Sequence, residues 1–134
     1  MSTIKLTSNE FSSRISNFLH TRKWDYLDHK PCIIDFYTSW CMPCKTIASI
    51  LEDLACEYKE QIHVYKINAD EEPQLAEAFA VKFLPTLIFC PMNDHPHVIC
   101  GSISKMNFVE YINDVLLQEF YKLTDLKPTT LDIL

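Results

Sequence analysis

The sequence predicts a single α/β domain with the element order βαβαβαββα, and three observations carry that expectation. Short apolar runs are separated by stretches whose apolar residues keep helical spacing. Hydroxyl residues stand where several of those helices should begin. The last two apolar runs are parted only by a turn, whereas each earlier run leads into a helical stretch. A chain of 134 residues, 48% of them hydrophobic, is long enough to bury a substantial core. It shows no internal repeat and no linker-like tract that would divide it.

The elements follow in order. Thr3 to Leu6 reads as a short first strand. Thr7 with Glu10 three residues later forms a capping-box pattern, and Phe11, Ile15, Phe18 and Leu19 then keep helical spacing. A polar connection studded with Trp24 and Tyr26 runs from His20 to Lys30. Cys32 to Tyr37 is almost continuously apolar, the pattern of a strand buried on both faces. From Cys41 to about Tyr58, Ile47, Ile50, Leu51, Leu54 and Tyr58 line one face of a helix. Ile62 to Ile67 reads as the third strand. Pro73 suits the first turn of a short helix holding Leu75, Ala76 and Phe79. Thr86 to Cys90 and Val98 to Cys100 form a hairpin across an Asn93-Asp94 turn. Ser104 caps a last helix with Phe108, Val109, Ile112, Val115 and Leu116 inward.

Charge and cysteine usage exclude several classes. The formal net charge of −6 argues against a nucleic-acid or anionic-membrane surface, which needs clustered Lys and Arg. No apolar run reaches membrane-spanning length, and MSTIKLTSNEFSSR lacks the apolar region of an export signal. The expectation is therefore a cytoplasmic protein. Cys32, Cys56, Cys90 and Cys100 stand alone in the sequence and read as small packing residues in a reducing compartment.

Cys41 and Cys44 are the one closely spaced pair, and three chemistries compete for them. A structural zinc site normally needs four N/S ligands, and no second CxxC or spaced His pair is present. His95, His97 and Cys100 fall on the predicted hairpin, so no metal is expected. A thiol placed at a helix N-terminus, beyond a buried strand, is the third possibility. Orphan N–H groups and the helix dipole favour an anion there. They lower a thiol pKa from ~8.5 toward roughly 3.5–7.5. Pro43 fits the first helical turn, where its missing N–H costs nothing. This reading expects Cys41 to be exposed and activated. Cys44, one turn further in, is placed to resolve a mixed disulfide formed at Cys41.

From about Ile4 to Phe120 the chain resembles the thioredoxin family. The resemblance rests on Ile33-Ile34-Asp35-Phe36, Trp40-Cys41-Met42-Pro43-Cys44-Lys45, Val64 to Asp70, Leu84-Pro85-Thr86-Leu87 and Gly101. It implies a thioredoxin fold, a mixed five-stranded sheet flanked by four helices, over residues 1–120. A C-terminal tail, 121–134, then packs on the domain or is disordered. The resemblance makes Cys41 the nucleophile, Cys44 the resolving thiol and Asp35 the buried proton acceptor, with Lys66 its partner. Trp40, Met42, Pro43, Leu84, a cis Pro85, Gly101 and Ile103 become the substrate-binding groups. The sole glycine of the chain implies that backbone approaches something closely there.

Met42 stands where the family usually has glycine, Tyr37 where it usually has tryptophan, and Ser49 where it usually has proline. Residues between the cysteines tune the potential, and ~30 mV is worth about 1.4 kcal/mol. The implied function is a dithiol–disulfide oxidoreductase that reduces protein disulfides. A thiol oxidase or isomerase, or a scaffold subunit of the same fold, are the alternatives. The chain has no G-x-G-x-x-G fingerprint, so no cofactor is expected on it. Its electrons would come from a separate NADPH-dependent thioredoxin reductase. The expected partners are that reductase and disulfide-containing proteins, with no nucleic acid and no membrane, and the chain is expected to be a monomer.

Overall fold

The computed structural model describes residues 3–117. Its apolar runs become five strands, β1 (Ile4–Lys5), β2 (Cys32–Tyr37), β3 (His63–Asn68), β4 (Thr86–Cys90) and β5 (His97–Cys100). They form one sheet in the order β1-β3-β2-β4-β5. β3 runs parallel to both β1 and β2, while β4 is antiparallel to β2 and to β5. The two most apolar long strands, β2 and β4, lie side by side in the interior with β3, and the two ends of the order, β1 and β5, are edges.

Strand periodicity divides the core into two layers. Ile33, Val64, Leu87 and Phe89 face one side. There they meet Ile47, Leu51 and Leu54 of α3 (Met42–Glu57) and Phe108 of α5 (Lys105–Tyr111). Ile34, Phe36, Tyr65, Ile67 and Ile88 face the other side. Phe11 of α1 (Ser8–Arg14) and Leu75 of α4 (Pro73–Ala78) cover that layer. Each fully buried side chain of this size adds roughly 1.5–3 kcal/mol to the hydrophobic drive.

Local signals set the helix ends. Thr7 and Glu10 close the expected capping box at 3.2 and 2.9 Å. Ser104 Oγ accepts from the Asn107 N–H at 3.1 Å. The first helical stretch does not continue through Leu19, however. It breaks, and α2 (Phe18–Thr21) follows as a separate turn, so the sheet carries five α-helices among the described residues rather than four. The cause is competition for backbone groups. Leu27 N–H takes the Ile15 carbonyl at 2.8 Å, and Asp25 N–H donates to Ser16 Oγ at 3.3 Å. The connection before β2 therefore folds back onto the break. Trp24 on it joins Phe18, Tyr26 and Phe79 in an aromatic cluster.

α5 also departs from a simple helix. After Tyr111 it passes into a π-helical turn, Ile112–Leu116, in which Leu117 N–H reaches the Ile112 carbonyl at 2.9 Å. Ile112 and Leu116 still point inward. Among the described residues no helix is long and apolar enough to cross a membrane. The expected tail, 121–134, lies outside the described residues.

Candidate functional site

β2 delivers the chain to the site, and the loop after it turns into α3 with Cys41 as N-cap and Pro43 in the first turn. Cys41 and Cys44 are joined as a disulfide with their Cα atoms 5.3 Å apart. The Cys41 sulfur accepts the Cys44 backbone N–H at 3.2 Å, so one orphan donor of the helix is spent on sulfur. The expectation that Cys41 is exposed is corrected: it is 5% accessible and Cys44 3%. Bonding the two sulfurs across the first turn of α3 tucks both against the protein.

Exposure instead belongs to the neighbours. Trp40 and Met42 are 67% and 69% exposed on either side of Cys41. Trp40 is held by its indole N–H, which donates to Asp70 Oδ2 at 2.8 Å. The Leu84-Pro85 peptide is cis, as expected. Phe83, just before it, is 68% exposed and was not anticipated, nor was the anchoring role of Asp70. An aromatic residue in a connecting loop beside a family proline was the only sequence signal for Phe83.

Behind the disulfide, a cavity of about 240 Å³ is lined by Asp35, Tyr37, Thr38, Ser39, Cys44, Lys45, Ala48 and Lys66. Asp35 shares the sheet face of Ile33, toward α3, by strand alternation. Burial pushes its carboxyl up to about 7, while the Lys66 charge pulls the other way. Asp35 Oδ1 and Thr38 Oγ1 are buried without a hydrogen-bond partner. Lys66 stands opposite Asp35 in the β2–β3 register. A carboxyl that exchanges protons near neutrality, lining one cavity with Cys44, is equipped for acid–base work.

Gly101 has φ +94°, and a Cβ placed on it would meet nothing within 4 Å. Among the described residues, none beyond its chain neighbours approaches closely there. The left-handed backbone explains the glycine, and Gly101 N–H donates to the Pro85 carbonyl at 2.8 Å. Ile103 and Leu84 are half-buried, each packed against one core layer.

The remaining cysteines differ from the expectation of four solitary packing residues. Cys32 and Cys90 lie directly across from each other on β2 and β4, both fully buried. Burial, reinforced by the neighbouring Cys32, pushes the Cys90 thiol well above its ordinary value. Cys56 and Cys100 are exposed. Alternation along β2 and β4 brought the first two together, a juxtaposition invisible to sequence spacing.

Comparison with known proteins agrees with this geometry. The thioredoxin family's sequence model matches residues 2–114. A thioredoxin of Borreliella burgdorferi is 34% identical over 111 residues, 83% of this chain and 95% of the relative. A Mycobacterium leprae protein named bifunctional thioredoxin reductase/thioredoxin is 34% identical over 88 residues, 66% of this chain and 19% of that protein. The solved structure of chloroplastic thioredoxin z superposes with a TM-score of 0.70 at 23% identity, covering 85% of this chain and 94% of that one, a likeness of fold. With its cysteine pair bonded at the head of α3, the chain belongs to the thioredoxin family and is a thioredoxin-like dithiol–disulfide oxidoreductase.

Proposed function

We propose that the chain works as a reductase of protein disulfides, with Cys41 as nucleophile and Cys44 as resolving thiol. The observation that carries this reading is the Cys41 sulfur at the head of α3, receiving the Cys44 N–H. That donor and the helix dipole stabilise a thiolate once the pair is reduced. The Cys41 thiolate attacks a substrate disulfide, one S–S bond forms as another breaks, and the first substrate thiolate leaves. Asp35 accepts the Cys44 proton through the shared cavity. The Cys44 thiolate then attacks the Cys41 sulfur, releases the second substrate thiolate and closes the pair. Two electrons pass to the substrate, and the chain is left oxidised.

Trp40, Met42, Pro43, Leu84, Pro85, Gly101 and Ile103 receive the substrate in this reading, with Phe83 added to the apolar rim. The open space over Gly101 leaves room for an extended substrate segment to come close to backbone. Lys66 tunes Asp35 by its charge. Electrons return from a separate thioredoxin reductase, a pairing supported by the fused name of the Mycobacterium leprae relative. The chain acts as a monomer in the cytoplasm and binds no cofactor of its own.

Equilibration in graded dithiothreitol buffers tests the direction of flow. A potential at or below roughly −220 to −260 mV, the biochemical glutathione poise, supports a reductase. A clearly more oxidising value favours the oxidase or isomerase. Cys44→Ser should trap substrate proteins on Cys41 as mixed disulfides; a scaffold would trap none and would keep its partners in Cys41→Ser.

A further inference from the structure

At the end of β2 remote from Cys41, the connection before the strand brings together three groups that the redox chemistry does not use. Asp28 Oδ2 accepts from His63 Nδ1 at 2.8 Å and from the Tyr65 hydroxyl at 2.6 Å. Asp28 Oδ1 accepts the His29 backbone N–H at 2.7 Å and lies 3.3 Å from His29 Nδ1. The Tyr65 hydroxyl also lies 3.1 Å from His63 Nδ1. The two imidazoles meet edge-on, their centroids 5.3 Å apart. One ligand atom from each of Asp28, His29 and His63 falls within 4.8 Å of the other two.

We propose that Asp28, His29 and His63 form a binding site for a divalent transition ion of the zinc type, with solvent completing the coordination. The donor set chooses the ion class. Two imidazoles and one carboxylate suit zinc, whereas calcium and magnesium call for oxygen ligands. Distances agree with the choice. Tetrahedral zinc with bonds of about 2.0–2.1 Å sets its ligand atoms about 3.3 Å apart. Each carboxylate oxygen already has an imidazole near that edge, His63 Nδ1 at 2.8 Å from Oδ2 and His29 Nδ1 at 3.3 Å from Oδ1. Gathering both rings around one ion takes a bidentate carboxylate or a small swing of one ring.

Rigidity and access are divided between the ligands. The Asp28 side chain is 6% exposed and is steadied by the Tyr65 hydroxyl, the kind of outer hydrogen bond that orients a ligating carboxylate. The His29 side chain is 80% exposed and free to swing the remaining distance, leaving an open side for water and for entry of the ion. In the ion-free protein His63 Nδ1 and the carboxylate are within hydrogen-bond distance of each other, and the ion would take the place of that contact. No CxxC or spaced His pair announces the site, because parallel pairing of β2 and β3 assembles it from distant positions. β2 spans six residues at roughly 3.3 Å each, so the ion would sit well away from the disulfide. It would fasten the connection to β3 without touching the redox pair.

Calorimetric titration of Zn²⁺ into the full chain tests the proposal, with the Cys41–Cys44 disulfide closed and Cys56→Ser and Cys100→Ser in place to remove exposed thiols. One ion per chain is expected, with affinity reduced about tenfold or more by His29→Ala and by His63→Gln, and unchanged by His95→Ala. His29 is exposed, so its variant keeps the fold and decides the question alone. Co²⁺ bound in place of zinc should show visible d–d bands without thiolate charge-transfer absorption. Absence of saturable binding, equal affinity in His29→Ala, or a thiolate band would overturn the site.

Discussion

Asp35 and Lys66 occupy matching positions on neighbouring parallel strands, yet Asp35 Oδ1 is left buried without a hydrogen-bond partner. Lys66 lines the same cavity and acts on the carboxyl through its charge. That attraction only partly offsets burial, so the acid keeps a proton that an exposed aspartate would give up.

The pH dependence of stability follows from this. The Asp35 carboxyl titrates at about 7 in the fold against 3.8 ordinarily, so between those values the folded chain binds more protons than the unfolded one. Stability contributed by the protonated acid is intact below about pH 4 and is lost as pH rises through about 7. The difference amounts to about 4 kcal/mol at 1.36 kcal/mol per pKa unit. Asp35→Asn should therefore be more stable than the parent at pH 8, by as much as that, and nearly equal to it at pH 4. Denaturant unfolding of the oxidised protein at both pH values checks this; a variant no more stable at pH 8 refutes it. Turnover should fall nonetheless, toward the lower end of the roughly 10²–10⁴-fold typical of acid–base catalysis.

Asp70→Ala removes the acceptor that holds Trp40. The indole N–H is exposed and can turn to water, so the stability cost should stay near or below about 1 kcal/mol. kcat/KM toward a protein disulfide such as insulin should drop several-fold, because the rim beside Cys41 loses its fixed orientation. Unchanged kinetics would mean that the orientation of Trp40 plays no part in substrate binding.

Gly101→Ala separates backbone strain from crowding. Since no atom of the described residues beyond its chain neighbours lies within 4 Å of the added carbon, the cost should be that of the left-handed conformation, roughly 1–2 kcal/mol. Thermal unfolding measures it, and a loss well beyond that range would mean that the loop is tightly packed around residue 101.

Phe11→Ala tests the aromatic layer. Phe11 is fully buried, with the Phe18 and Phe79 rings at 5.9 and 5.8 Å. Its removal should cost about 3–5 kcal/mol. Thr7→Ala, which opens the capping box at the same helix, should cost only about 1 kcal/mol. Similar losses in the two variants would contradict this division.

Much of this was legible because local chemistry and tertiary packing agree. Cys32 to Tyr37 and Thr86 to Cys90 are apolar but for Asp35 and Thr86, and both became interior strands with the expected limits. The cysteine spacing, Pro43 and Pro85 marked the site directly. What escaped depends on contacts between distant residues. Nothing near Ile15 says that Leu27 will take its carbonyl, so the break between α1 and α2 was hidden. The burial of Cys41, bonded to Cys44 across the first turn of α3, is likewise not encoded in the spacing. Cys32 facing Cys90, and Asp28 meeting His63, follow from strand pairing that no local pattern encodes.

The two sheet edges have a consequence of their own. β1 is two residues long, and β5 is four, entered directly from Pro96 with His97 as its first residue. An open edge templates the addition of further strands in proportion to the unpaired amides it displays, and short edges beside proline display few. Copies of this chain thus have little to zip onto, and concentrating the protein should leave it dispersed rather than growing into ordered aggregates.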